Sequence, residues 1–470
     1  MTPGAGRPHH TVTFALLAVA AVAYALLQSL VAPALLTIQR DLHTTTANAA
    51  WILTAYLLSA SVMTPIAGRL GDMFGKKRTL VVVMAALCAG TVVAALATTI
   101  EVMIAGRVIQ GVGGAVFPLA FAIIRDEFPR ERVAHGIALI SAIMGIGGGL
   151  GIVLAGPITE SFSYHWLFWF PLIGIVAATV GIAVAVPESP VRAPGRVDWA
   201  GAALLGAWLV CLLVAVSQGP AWGWSSTRVV GLLAASAVLL GVWVAAERRL
   251  RAPLVDMAMM RRRAVWTTNL AALVFGFGMF SSFVLVPQFV ELPARTGFGF
   301  GASVTRAGAF MLPATVAMLL AGPVSGRLSS TVGSRIPLVA GSLVSSTAFA
   351  LLAFAHADGW EILTAMFVMG TGIGLAFASM ANLIVEAVAP DQTGIATGMN
   401  TIIRNIGGAI GSQVSAAVVS ASVGVAGLPS EAGFTAAFAM CAAALAVGFL
   451  VSLAVPRPGR VSAAAVPETA

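Results

Sequence analysis

The stretch GRLGDMFGKKR, residues 68–78, lies between two long apolar runs and carries five charged side chains. Its glycines allow two helices to approach closely and the chain to turn sharply. Its aspartate can accept hydrogen bonds from neighbouring cations or from a helix N-terminus, and the basic residues that close the stretch are donors. Such a loop can hold one conformation of a membrane protein and release in another, or it can be a solvated turn that only fixes topology. The candidate latch residues are Gly68, Asp72, Gly75, Lys76, Lys77 and Arg78.

The composition places the flanking apolar runs in a lipid bilayer. Hydrophobic residues make up 59% of the chain and charged residues 9%, whereas a soluble domain carries about 25% charged residues. Apolar runs of about 20 residues, the length that crosses a bilayer, recur along almost the whole chain. The net charge of +8 is spread over short loops, whereas a nucleic-acid-binding protein gathers its basic residues on one face. The sequence therefore predicts an all-α polytopic membrane protein with no nucleic-acid partner.

The lengths of the apolar runs, with glycine, proline and charged residues marking their ends, predict fourteen spans. The loops after the even-numbered spans hold most of the arginine and lysine, and positively charged loops stay in the cytoplasm. We therefore expect both termini to be cytoplasmic and the first span to be retained rather than cleaved as a signal sequence. The predicted spans are residues 13–36, 49–68, 79–98, 102–123, 136–157, 167–186, 199–217, 228–246, 265–290, 304–325, 336–355, 362–385, 395–419 and 433–455.

A weak internal repeat divides the chain. Residues 326–335, GRLSSTVGSR, echo residues 68–78, and each stretch follows the second span of a half. HGIA at residues 135–138 and TGIA at residues 393–396 open the fifth and thirteenth spans. Both pairs fit a parallel repeat of six spans with two further spans inserted between the halves. The predicted division is an N-terminal six-helix bundle (1–186), two linker helices with a basic loop (187–264) and a C-terminal six-helix bundle with a short tail (265–470).

The loop at residues 68–78 matches the G-x-L-x-D-x-x-G-R/K-K/R motif between helices two and three of the major facilitator superfamily. Residues 106–111, GRVIQG, resemble the R-x-x-Q-G signature of that family's fourth helix. With WILTAY at residues 51–56 and NTIIRNIGGAIG at residues 400–411, the chain resembles the fourteen-helix drug/proton antiporter branch. The resemblance implies a major facilitator fold of two six-helix bundles plus two inserted helices, which rock about a central site.

The resemblance also implies roles for individual residues. Asp72 would latch the two halves in the outward-facing state, with Asp126 or Glu127 sharing the cationic partners. Arg107 would take part in proton coupling, since a charge inside a span is functional by default; the alternative is an arginine that reaches the outer interface beside Glu101. Independently of the resemblance, Glu127 is the candidate proton carrier because it lies near Arg125 and the cytoplasmic mouth, with ordinary loop charge as the alternative.

Two departures from the family pattern bear on proton coupling. Antiporters of this branch carry an aspartate in helix one, whereas this chain has Leu27 there, with the neutral Gln28 beside it. The glycine-rich pattern of helix five has Ile152 in place of proline and Ala155 in place of glycine. No other acidic residue falls near the middle of a predicted span. The motifs therefore leave the proton carrier unidentified.

A substrate chamber at the bilayer midplane is expected to draw polar and aromatic side chains from the first, second, ninth and thirteenth spans. Arg404 stands well inside the thirteenth span, where it could meet an anionic substrate or anchor one helix to another. The glycine-rich stretches 145–156 and 407–411 lack a following Lys-Ser or Lys-Thr, so we interpret them as helix-packing surfaces rather than phosphate loops. The candidate substrate-binding residues are Gln28, Trp51, Tyr56, Asn269, Phe280, Gln288, Asn400 and Arg404.

The function expected from these features is proton-driven efflux of hydrophobic or amphipathic small molecules across the plasma membrane, without a metal or cofactor. The alternative is an importer, facilitator or lipid transporter of the same fold, which the missing helix-one carboxylate favours. A membrane-bound enzyme is a weaker alternative, because the six histidines are scattered and no HExxH motif is present. We expect the chain to act as a monomer with lipid, protons and a small organic molecule as its partners.

Overall fold

The structure is a computed structural model, and it describes residues 10–191, 198–250, 253–422 and 428–456. Both chain ends lie outside these ranges. Within them, fourteen helices are long and apolar enough to cross a bilayer, which confirms the predicted number. The helices are α1 (His10–Ser29), α2 (Thr46–Phe74), α3 (Lys76–Ala95), α4 (Ile100–Glu127), α5 (Arg130–Ser161), α6 (Trp166–Ala185), α7 (Trp199–Trp222), α8 (Thr227–Arg249), α9 (Arg263–Glu291), α10 (Val304–Val332), α11 (Arg335–Phe354), α12 (Gly359–Ala387), α13 (Thr393–Ala421) and α14 (Glu431–Leu453).

The first span differs from its predicted limits of 13–36. The helix α1 ends at Ser29, and a separate short helix, Leu35–Asp41, follows a turn. Pro33 explains the break, because it has no backbone N–H to donate and it disfavours helical geometry in the residue before it. Apolar length alone did not reveal this interruption.

Three hydrophobic clusters organise the helices. The first is built almost entirely from α1–α6 and the second almost entirely from α9–α14, so each half has its own core. The third joins α7 and α8 to the rest of the molecule; in it, Trp208 and Trp243 lie 6.2 Å apart between ring centroids. The halves meet mainly where α5 packs on α10 and where α2 packs on α13. This is the predicted arrangement of two six-helix bundles with two inserted helices.

The repeated sequences pack crosswise between the halves. Gly68 of α2 lies against Gly394 of α13, where a Cβ on Gly68 would be 2.5 Å from the carbonyl oxygen of Gly394. In the same way, Gly326 of α10 lies against His135 at the start of α5. Each copy of the GRL sequence therefore contacts the GIA sequence of the other half. We call the membrane face where α2 ends and α13 begins the latch face.

Gly68→Ala is expected to prevent full closure of the latch face, because the added Cβ would meet the backbone of Gly394 rather than a side chain that can rotate. Thr397, which is 3% exposed, reports closure if it is replaced by cysteine in a protein whose native cysteines have been removed. Maleimide should label Thr397→Cys faster in the Gly68→Ala protein. Gly231→Ala is the matched control, since a Cβ at residue 231 meets nothing within 4 Å. Equal labelling in the Gly68→Ala and Gly231→Ala proteins would contradict the close packing described here.

The glycine-rich part of α5 packs against helices of both halves. A Cβ on Gly147 or Gly151 would collide with Ala25 or Ser29 of α1, and one on Gly149 would collide with Thr315 of α10. The Ser29 hydroxyl also donates to the carbonyl oxygen of Gly147 at 2.8 Å. These contacts agree with the interpretation of the stretch as a packing surface.

Candidate functional site

The carboxylate of Asp72 caps the start of α13. Its Oδ1 accepts a hydrogen bond from the backbone N–H of Gly394, and its Oδ2 accepts one from Ile395, both at 3.1 Å. The backbone N–H groups that begin a helix lack partners within that helix and carry partial positive charge, so a buried carboxylate is stabilised there. Asp72 is fully buried. The geometry agrees with the expectation that this residue accepts from a helix N-terminus, and the helix belongs to the other half.

Lys76 forms a second buried contact beside Asp72. Its Nζ donates to Asp126 Oδ2 at 2.5 Å and to the carbonyl oxygen of Pro390 at 3.3 Å, and both charged side chains are excluded from solvent. The Ser189 hydroxyl also donates to the Asp126 carboxylate. Of the two acids implied by the resemblance, Asp126 is therefore the partner of Lys76. Glu127 lies half-buried at the last residue of α4.

The hydrogen bonds described for Lys77 and Arg78 do not connect the two halves. Their backbone N–H groups donate to Glu188 at 3.1 and 3.2 Å, so a carboxylate of the first half caps α3. The chain reaches this cap through Gly75, whose φ of 115° is one that residues with a side chain rarely adopt. The predicted latch is therefore corrected: Lys77 and Arg78 supply the start of α3, whereas Asp72 and Lys76 reach the second half.

Arg125 is a latch contact that sequence analysis missed. Its Nη1 donates to the Thr393 hydroxyl at 2.6 Å and to the carbonyl oxygen of Ala389 at 3.3 Å, and its Nη2 donates to that of Val388 at 2.8 Å. Val388 and Ala389 lie between α12 and α13, and Thr393 is the first residue of α13, so all three acceptors belong to the second half. The only sequence signal was a charged cluster at the end of the fourth span, which does not show where the charges point.

Lys76→Met is expected to destabilise the closed arrangement by about 3–5 kcal/mol, because Asp126 would stay buried without its cation. The midpoint of thermal unfolding of the detergent-purified protein should fall. Lys76→Met combined with Asp126→Asn should recover part of the loss, since it removes the unpaired charge. Arg130→Met at an exposed position is the control. An unchanged midpoint for Lys76→Met would show that the buried pair contributes no stability.

Arg107 is fully buried in the first half. Its Nη1 donates to Gln110 Oε1 at 2.8 Å, its Nε donates to the carbonyl oxygen of Ile52 at 3.2 Å, and its guanidinium lies 4.2 Å from the centroid of the Tyr56 ring. Gln110 Nε2 in turn donates to the Thr91 hydroxyl at 3.1 Å. Because Arg107 is 0% exposed, the alternative in which it reaches the outer interface beside an acid is wrong.

Arg404 is buried where the two halves face each other. Its guanidinium lies 4.4 Å from the centroid of the Phe377 ring in α12, and its Nη2 contacts the sulfur of Met144 in α5 at 3.9 Å. Tyr24 of α1 lies 6.5 Å from Tyr56, the ring beneath Arg107, between ring centroids. Tyr24 and Phe377 were not predicted as site residues. A lone tyrosine in the first apolar run was the only signal for the former.

The two asparagines predicted to bind substrate form a hydrogen bond with each other rather than facing an open chamber. Asn400 Nδ2 donates to Asn269 Oδ1 at 2.9 Å, and each residue is 4% exposed. This bond links α9 to α13, so the structure assigns both side chains to helix packing in this conformation. Phe280 covers Gly408 in the same helix pair. Trp51 and Gln28 are half-buried.

Gln288 lines a cavity whose described lining does not include Arg404. It lines a space of about 690 Å³ near the ends of α9 and α13 that lie farthest from the latch face, together with Trp224 and Glu291. Gln288 lies near the C-terminus of α9, about 38 Å along the helix from Arg263, and its place in a midplane chamber stays a prediction.

Unlike Lys76, the buried Arg107 and Arg404 have no carboxylate partner in the described part of the chain. The ion pairs there are Lys76–Asp126, Arg78–Glu188 and His356–Glu431. Leu27, at the family's acidic position in helix one, is fully buried in the core of the first half. The missing helix-one aspartate noted in the sequence is therefore also a feature of the site, whose buried arginines have no negative side chain nearby.

Several proteins resemble this chain in sequence. The chain is 28% identical over 423 residues to the tetracenomycin C resistance and export protein of Streptomyces glaucescens, covering 89% of this chain and 77% of that protein. It is 27% identical over 379 residues to the multidrug transporter protein MdtP of Bacillus subtilis, covering 80% and 69%. Both relatives carry export or drug transport in their names.

A solved structure and a family model match this chain as well. The crystal structure of the human organic anion transporter MFSD10 (TETRAN) superposes with a TM-score of 0.68 at 18% identity, covering 94% of this chain and 98% of that one, which shows a shared fold. The family model described as the Major Facilitator Superfamily matches residues 17–412. This multi-pass membrane protein belongs to the Major Facilitator Superfamily of transporters.

Proposed function

We propose that this transporter exports hydrophobic or amphipathic small molecules across the plasma membrane, driven by the proton gradient, and acts as a monomer. The observation that carries the proposal is the closed latch: Asp72, Lys76 and Arg125 of the first half all bind the start of α13 or the segment before it. Two halves that separate at these contacts would expose the chamber on the latch face. The names of the relatives support export as the direction.

The latch face is proposed to be cytoplasmic, so that the structure is the outward-facing state and both termini are inside. Arginine and lysine concentrate in the loops of this face, and positively charged loops are retained in the cytoplasm. The residues described there include Arg69, Lys77, Arg78, Arg130, Arg132, Arg248, Arg249, Arg327 and Arg335.

Proton coupling is proposed to involve Arg107, and Glu127 is the proposed carrier. Arg107 is buried beside Tyr56 and can change partners when the helices move. Glu127 is half-buried on α4 at the latch face, where protons from the cytoplasm can reach it. A second function, import or facilitated transport without protons, is favoured by Leu27, since no carboxylate lies at the usual position in α1.

Everted vesicles with an acidic lumen test export and coupling together. The proposal predicts that at least one compound of a broad panel, which includes ethidium and an aromatic carboxylate, accumulates inside and that the lumen becomes more alkaline as it does so. Vesicles containing Asp72→Asn protein at equal expression are the control for leak. Accumulation without any change in luminal pH would favour the uncoupled alternative, and no movement across a broad panel of drugs would contradict export.

A further inference from the structure

The position of Arg404 places a positive charge near the middle of the membrane. The residue comes eleven positions after Thr393, the first residue of α13, which is about 16 Å along the helix axis. The hydrocarbon core of a bilayer is about 30 Å thick. A guanidinium at that depth is unfavourable unless protein, water or an anion compensates its charge.

The protein groups around Arg404 compensate it poorly. The aromatic face of Phe377 attracts a cation only weakly, and the sulfur of Met144 at 3.9 Å is a weak acceptor. Among the described residues, which include every aspartate and every glutamate except Glu468, none forms an ion pair with Arg404. Arg404 is 7% exposed and lies against the other half, so separation of the halves would open it to a ligand.

Arg107 is a second buried positive charge, in the first half. Its Nη2 is buried without a hydrogen-bond partner in the described part of the chain, although the residue is 0% exposed. An electric field of one sign in a low-dielectric site selects ligands of the opposite sign.

We propose that the exported molecules are organic acids, whose carboxylate or phenolate anion binds Arg404 between α5, α12 and α13. The inference rests on the proposed export function and adds the charge of the substrate. The apolar body of such a molecule would lie in the hydrophobic space between the halves, while its anion supplies the partner that Arg404 lacks. Arginine suits this role because its planar, permanently charged fork binds a carboxylate through two hydrogen bonds.

Binding to the purified full-length protein tests the proposal with a matched pair of probes, anthraquinone-2-carboxylate and its methyl ester. Titration calorimetry in Tris at a low, constant chloride concentration limits competition from other anions. The unsubstituted protein should bind the carboxylate about tenfold to a hundredfold more tightly than the ester, as expected for hydrogen bonds between charged groups. Arg404→Gln should remove that preference while leaving the weaker ester binding unchanged, and Arg404→Lys should retain part of it.

The exposed Arg306 provides the control for a general loss of positive charge, so Arg306→Gln should keep the full preference for the carboxylate. Equal binding of the two probes, tighter binding of the ester, a lack of carboxylate binding, or a preserved preference in Arg404→Gln would each overturn the proposal. These results are separable from a failure of export: vesicles that transport ethidium but not the carboxylate would reject only the anionic substrate class. Vesicles that transport neither compound nor any drug of the panel would reject export itself.

Discussion

Asp72→Asn is expected to reduce transport by about tenfold or more while leaving the protein inserted in the membrane. The carboxylate holds two N–H groups at the start of α13, each at 3.1 Å. An uncharged amide loses the attraction to the helix N-terminus and keeps one acceptor oxygen for two donors. A loss of about 2 kcal/mol changes the ratio of closed to open latch roughly thirtyfold, enough to slow the return to the outward-facing state.

The measurement for Asp72 is initial-rate efflux at equal amounts of protein in the membrane. Asp41→Asn is the matched control, because Asp41 is exposed at the opposite face, outside the latch. Arg125→Gln should resemble Asp72→Asn in direction, since both remove bonds to the same junction of α12 and α13. Normal turnover in Asp72→Asn would show that the loop is a solvated turn that only fixes topology.

Arg107→Ala is expected to abolish transport against a gradient, a decrease of about a hundredfold, and to spare the binding of a neutral ligand. The substitution removes two charge-assisted hydrogen bonds from the interior of the first half and leaves Gln110 and the carbonyl of Ile52 without their donor. The cation over Tyr56 is lost as well. Because Arg404 lies in the other half, the site for the apolar body of a ligand should persist.

Gradient-driven efflux and ester binding are measured on the same Arg107→Ala preparation. Arg228→Ala, which removes an exposed arginine, is the control for expression and for net charge. Full gradient-driven activity in Arg107→Ala would show that this residue takes no part in coupling. Lost ester binding together with a lowered unfolding temperature would assign Arg107 to packing.

The number of spanning helices was predictable because hydropathy is a local property of each apolar run. The acceptor role of Asp72 was also predictable, since a carboxylate beside glycines at a helix junction has few other uses. The partners of Arg125 were not, because two of its three acceptors are backbone carbonyls that any residue type provides. The pairing of Asn269 with Asn400 was hidden for a related reason: amides that satisfy each other across a helix interface have the same sequence signature as amides that line a chamber.

The central claim is that the halves move against each other about the site of Arg404, with one face closing as the other opens. Two distances between spin labels test it most directly in a protein without native cysteines. Phe74→Cys and Val332→Cys report the latch face, and Phe162→Cys and Trp360→Cys report the opposite face; all four positions are exposed. In Asp72→Asn the first distance should lengthen and the second should shorten. Two distances that both stay unchanged, or that lengthen together, would contradict alternating access in this chain.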